Sequence, residues 1–208
     1  MIIVTGAAGF IGSSIVAGLN AREEDDILVV DSLGNSAKWK NLRRLDFTDY
    51  MEKEDFLETI KADRLKVPVS AVFHMGACSS TLQEDASYLI KNNYEYSKSL
   101  ARWTLRNDIR FIYASSAATY GAGERGFRDD QEQLKKLVPL NMYGYSKQLF
   151  DLWARREGLF DRIAGLKYFN VFGPNEYHKE TMRSFVHKAF QQIEDAGRVG
   201  LFKSYIDD

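Results

Sequence analysis

The sequence carries a single cysteine, Cys78, which excludes an internal disulfide and suits a reducing compartment. Histidine is scarce as well: His74, His178 and His187 stand at no ligand spacing, so hydrogen-bonded or surface positions are expected for them and no metal is expected. An excess of one charge is also missing. Lys and Arg number 28 against 29 Asp and Glu, a net charge of -1, with no basic tract for nucleic acid and no cationic amphipathic helix for a membrane. No apolar stretch approaches the ~20 residues of a membrane span, and the first residues read as a strand with no charged leader before it. The expectation is a cytoplasmic chain without nucleic-acid or membrane partners. Internal repeats and low-complexity segments are absent too. What remains is 208 residues of 45% hydrophobic content, enough for one core and the beginning of a second domain.

The first twelve residues hold a β-branched strand, Met1-Ile2-Ile3-Val4-Thr5, running directly into Gly6, Gly9 and Gly12 and then an apolar helix. This is a dinucleotide-binding turn. Gly6 permits the tight turn, Gly9 lets the backbone approach a pyrophosphate, Gly12 lets helix and strand pack closely, and the helix N-terminus at Phe10 and Ile11 offers free N–H groups. Ile27-Leu28-Val29-Val30-Asp31 is a second buried strand, with Asp31 where a carboxylate holds the adenosine ribose and Ser32 behind it.

Strands and helices then alternate, which predicts a parallel sheet covered on both faces. Leu42–Asp46 reads as a short strand, Glu54–Ile60 as an amphipathic helix and Val69–His74 as a strand entering Met75-Gly76-Ala77-Cys78-Ser79, small enough to pass close to a ligand. Tyr88–Leu105 reads as one long helix containing Asn92 and Asn93, Arg110–Ser115 as a strand delivering Ser116, and Gly121–Val138 as a charged surface loop. Asn141–Arg156 is a helix and Ile163–Asn170 the sixth strand.

Ser116 stands ahead of Tyr143 and Lys147, a Tyr-x-x-x-Lys pair whose members share a helix face one turn apart. A phenol is a poor base near neutrality. Bringing a tyrosine from pKa ~10 toward ~7 takes roughly 4 kcal/mol of phenolate stabilisation, to which a neighbouring ammonium contributes.

These residues resemble those of the extended short-chain dehydrogenase/reductases, and more closely the ADP-heptose 6-epimerases among them. The points of similarity include the opening strand and glycines, Gly76-Ala77-Cys78-Ser79-Ser80-Thr81, Tyr113–Gly121, Asn141–Lys147 and Tyr168-Phe169-Asn170-Val171-Phe172-Gly173-Pro174. Glu176-Tyr177-His178-Lys179 and Leu201-Phe202-Lys203-Ser204 are the distinctive ones. The resemblance implies an α/β fold: a Rossmann-type doubly wound parallel sheet over residues 1–170, with the start of a smaller carboxyl-terminal substrate domain over 171–208. The family's chains run well beyond residue 208, so this one is expected to stop inside that second domain.

The implied reaction is redox-neutral inversion at C6″ of an ADP-heptose nucleotide sugar, a precursor of the lipopolysaccharide core. Tyr143 is expected as first base, Lys179 as the second proton group, Ser116 as hydrogen-bond partner of the reacting oxygen and Lys147 as orienter of the nicotinamide ribose. Asn170, Thr181, Lys188, Phe202, Lys203 and Ser204 are the expected sugar contacts, with Lys188 standing where the family has a histidine, and Val171 joins the cofactor set. Cofactor choice is contested: Asp31 favours NAD, whereas Lys38 and Lys53 match lysines near a 2′-phosphate, and NADP is expected. A homo-oligomer, a pentamer by the resemblance, is implied. A UDP-sugar 4-epimerase or dehydratase would use the same serine, tyrosine and lysine, and a catalytically silent dinucleotide-binding protein remains the reading from another class.

Overall fold

A computed structural model describes residues 1–201. Its centre is a six-stranded parallel sheet in the order β3-β2-β1-β4-β5-β6, the doubly wound arrangement in which a crevice opens where the strand order reverses, between β1 and β4. The strands are β1 (Ile2–Thr5), β2 (Ile27–Asp31), β3 (Asp49–Glu52), β4 (Ala71–His74), β5 (Arg110–Ser116) and β6 (Ile163–Tyr168). The middle strands are apolar on both faces because helices cover both. Ile3, Leu28, Val30, Val72 and Phe111 pack against Phe56 and Ile60 of α2 (Lys53–Lys61), Leu100 and Trp103 of α4 (Tyr96–Arg106), and Phe150 and Trp153 of α5 (Met142–Arg156). Val4, Ile27 and Val29 point the other way, onto Val16 of α1 (Phe10–Asn20). At roughly 1.5–3 kcal/mol for each fully buried large aliphatic or aromatic side chain, this double face is the main source of stability.

Three expectations need correction. Leu42–Asp46 is a turn closing a 3₁₀ segment (Ala37–Leu42), and the third strand is Asp49–Glu52, paired with Leu28–Asp31. Leu42 and Leu45 stand three apart, a helical spacing, and both pack beneath β2. The long helix is three pieces: α3 (Ala86–Leu89), a π-helical stretch (Ile90–Glu95) and α4. The segment after Gly121 is also more than a surface loop. Leu134 and Leu137 are buried with Tyr120, and Gln148 of α5 donates to both of their carbonyls (3.2 and 2.6 Å). Beyond β6 come a 3₁₀ segment (Tyr177–Met182) and α6 (Phe185–Ala196). Among the described residues no helix is long and apolar enough to cross a membrane.

Candidate active site

The crevice is built where β1 and β4 end side by side. Gly6 has φ +68°, and a Cβ there would lie 2.6 Å from the Gly76 backbone, while one on Gly12 would lie 2.1 Å from the Gly6 carbonyl oxygen. Only glycine lets the turn, helix α1 and the chain after β4 come this close. Thr5 ties them together, its Oγ1 accepting from Gly76 N (3.2 Å) and lying 2.6 Å from His74 Nδ1. Burial, followed by the Lys147 charge, holds the His74 imidazole down to a pKa of about 3, so it stays neutral inside the sheet. The cleft is lined by the three turn glycines with Phe10 and Ile11, by Asp31, Ser32, Lys38 and Lys53, by Met75 to Ser79, and by Asn92. All fifteen of those expected cofactor residues therefore share one cavity. A pyrophosphate fits the cradle for the reason that a side chain does not: the backbone leaves open the volume a Cβ would fill.

At the far end of the cleft both oxygens of the Asp31 carboxylate accept hydrogen bonds. Its Oδ2 accepts from Ala8 N (2.8 Å), and its Oδ1 accepts from Ser32 N (2.7 Å) and from Lys38 Nζ (2.6 Å). The acid thus fastens the glycine turn to β2 and is neutralised by Lys38. Lys53 Nζ donates to Asn92 Oδ1 (2.5 Å) and lies 3.4 Å from Glu54.

The reacting end is assembled by β5 and α5. Ser116 closes β5 and caps a 3₁₀ turn (Ala117–Tyr120), its Oγ accepting from Ala118 N (3.1 Å). Asn141 caps α5 by accepting from Gly144 N (2.8 Å), and Gly144 must be small, since a Cβ there would lie 2.7 Å from Ala118 O. This close approach brings Tyr143 alongside Ser116. Burial raises the Tyr143 pKa, hydrogen bonding to Ser116 opposes the rise, and proximity to Cys78 adds to it. In the ligand-free chain Tyr143 is therefore a phenol at neutral pH.

Lys147 is buried and donates to the Ala114 carbonyl (2.8 Å) rather than to the phenol. Burial lowers its pKa to about 8, with Asp151 and Cys78 acting in the opposite direction. The sign has a measurable consequence. Between about 8 and the ordinary 10.5 the unfolded chain binds the proton and the folded chain does not, so this group makes stability rise with pH across that window and takes the gain away as pH falls through about 8. Denaturant unfolding should gain up to about 1.4 kcal/mol per pH unit from it, a slope that Lys147→Met should remove.

The remaining expected residues are more widely spread. Lys179 is in the cleft wall, its ammonium 5.6 Å from the Phe10 ring centroid. Asn170 and Val171 are exposed after β6, and Lys188 is exposed on α6 with Nζ donating to the Thr181 carbonyl (2.6 Å). Phe202, Lys203 and Ser204 lie outside the described residues. Two buried polar residues are not among the expected site residues. Asn93, in the π stretch, accepts from Cys78 N (2.8 Å) and donates to Cys78 O (3.0 Å) and Ser146 Oγ (3.0 Å), pinning the cleft floor to α5. Asp151, one turn after Lys147, accepts from Tyr113, Ser115 and Lys167. A carboxylate on the helix face shared by Tyr143 and Lys147 was the available signal for it.

Known proteins carry the same plan. The chain is 54% identical over 204 residues to the ADP-L-glycero-D-manno-heptose-6-epimerase of Nitratidesulfovibrio vulgaris, covering 98% of this chain and 63% of that protein. It is 48% identical over 208 residues to the protein of that name from Fusobacterium nucleatum, covering 99% of this chain and 63% of the other. The chain thus spans a little under two thirds of these relatives. The crystal structure of Helicobacter pylori ADP-L-glycero-D-manno-heptose-6-epimerase matches with a TM-score of 0.82 at 27% identity, over 95% of this chain and 64% of that one. With a glycine cradle at one end of the cleft, a Ser-Tyr pair at the end of β5, and a match over residues 2–205 to the NAD dependent epimerase/dehydratase family, the chain belongs to that family of nicotinamide-dinucleotide enzymes.

Proposed function

We propose that this chain carries out, with NADP, the inversion at C6″ that converts ADP-D-glycero-D-manno-heptose to ADP-L-glycero-D-manno-heptose. The observation that carries the reading is the placement of Ser116 and Tyr143 together at the carboxyl end of β5, beside a complete dinucleotide cradle. The names of the relatives point to the same substrate. Neutralisation of Asp31 by Lys38 at 2.6 Å favours NADP, because a free carboxylate would repel a 2′-phosphate.

When bound, NADP supplies the acceptance and return of hydride at C6″. Tyr143 takes the hydroxyl proton as the carbon is oxidised, and Ser116 donates to the oxygen as charge develops on it. The transient ketone must then receive hydride on its other face. One fixed group does not serve both faces, so a second proton group is needed, and Lys179, already in the cleft wall, takes that role. Lys147 holds the nicotinamide ribose, and residues 171–208 begin the part that receives the sugar nucleotide. A panel of ADP-D-glycero-D-manno-heptose and UDP-glucose, each incubated with NADP and separated by anion-exchange chromatography, tests the assignment. Conversion of the heptose nucleotide alone is expected, and conversion of UDP-glucose instead would replace this reading with a 4-epimerase.

A further inference from the structure

The segment after Pro174 folds back over the glycine cradle and is fastened there at several points. Asn175 Nδ2 donates to Ser13 Oγ (3.1 Å) on α1. Asn41 Nδ2 donates to the carbonyls of Ala8 (2.9 Å) and Asn175 (3.1 Å) and lies 3.3 Å from His178 Nδ1. Residues 41 and 178 are 137 positions apart, yet this clasp sets His178 in the same cleft wall as Asp31, Ser32 and Lys38.

We propose that His178 is a specificity-determining residue that contacts the adenosine 2′-phosphate beside Lys38, making the preference for NADP over NAD depend on pH. The inference rests on the NADP reading above. The groups acting on the imidazole come from every neighbouring element: Asp31 at the end of β2, Lys38 on the Ala37–Leu42 turn, and Lys179 and the Asn175 carbonyl on its own segment. Burial is the largest influence, and the net effect is a lowered pKa and a neutral ring in the free chain. An arriving phosphate dianion reverses the balance, since an opposite charge favours the protonated ring. NADP binding then takes up a proton and tightens as pH falls, whereas NAD, lacking the phosphate, gains nothing from it.

The test is calorimetric titration of the 208-residue chain with NADP and with NAD near pH ~6 and ~8.5. The ratio of the NAD to the NADP dissociation constant should be about fivefold larger at the lower pH. His178→Gln should lose that change, and His178→Lys should keep the higher ratio at both pH values. The second ionisation of the phosphate, near pH ~6, is common to all three proteins and cancels in the comparison. A wild-type pH dependence surviving in His178→Gln would overturn the role of His178 and leave the NADP reading standing. Equal affinity of the wild-type chain for NAD and NADP at both pH values would overturn both.

Discussion

Tyr143→Phe should bind NADP within about twofold of the parent affinity and lose a factor of about 10²–10⁴ in turnover, the usual worth of a positioned proton-transfer group. That corresponds to about 3–5 kcal/mol of transition-state stabilisation. The loss should fall on kcat, because the phenolic oxygen is at the Ser116 end of the cleft and the dinucleotide cradle lies around Gly6, Gly9 and Gly12. The ring packs in place with or without its hydroxyl, so the unfolding midpoint should be unchanged. Since burial keeps Tyr143 protonated in the free chain, activity of the parent should also rise with pH toward alkaline conditions. A Phe variant retaining more than about a tenth of the parent kcat would remove Tyr143 from the proton-transfer role.

Asp151→Ala should produce the largest loss of stability, about 3 kcal/mol in urea unfolding, at the low end of the range for breaking a buried ion pair by deleting one partner. The carboxylate is 1% exposed and accepts from Tyr113 Oη (2.8 Å), Ser115 Oγ (2.7 Å) and Lys167 Nζ (2.7 Å). It joins three elements, with Tyr113 and Ser115 on β5, Lys167 on β6 and the acid itself on α5. Lys167 keeps Thr119 Oγ1 at 2.6 Å and remains partly solvated, which places the cost below the upper limit. The damage extends toward the site: Ser115 precedes Ser116, and Asp151 is the main group opposing desolvation of Lys147. Asp151→Asn keeps the shape and should recover about half of the loss. A penalty below about 1 kcal/mol for the alanine variant would mean that the cluster adds nothing to the joint between β5, β6 and α5.

Much of this organisation was legible because local chemistry and global fold agree there. Ile2–Thr5 and Ile27–Asp31 are β-branched runs buried on both faces, and the glycines between them have steric roles that the backbone bears out at Gly6 and Gly12. Tyr143 and Lys147 likewise stand one turn apart on α5, as their spacing alone requires. The third strand was hidden because Asp49-Tyr50-Met51-Glu52 has no β-branched residue and, as an edge strand, pairs on one side only with β2. The His178 clasp was hidden for another reason. Its partners Asn41 and Asn175 are far apart in sequence, and histidine spacing, the only local signal, reports metal ligation and not a polar contact across the fold. The spacing of Asp31 from the glycines points to a ribose acceptor, and the contacts of its oxygens with Ala8, Ser32 and Lys38 are not legible from that spacing.

The central claim is that hydride leaves C6″ and returns to it within one site, and proton NMR of ADP-D-glycero-D-manno-heptose incubated with the chain and NADP in D₂O tests it most directly. The account predicts the L-glycero epimer with protium retained at C6″ and no accumulation of reduced cofactor. Epimer carrying deuterium at C6″ would contradict it by showing exchange with solvent, and so would bound cofactor with no epimer formed.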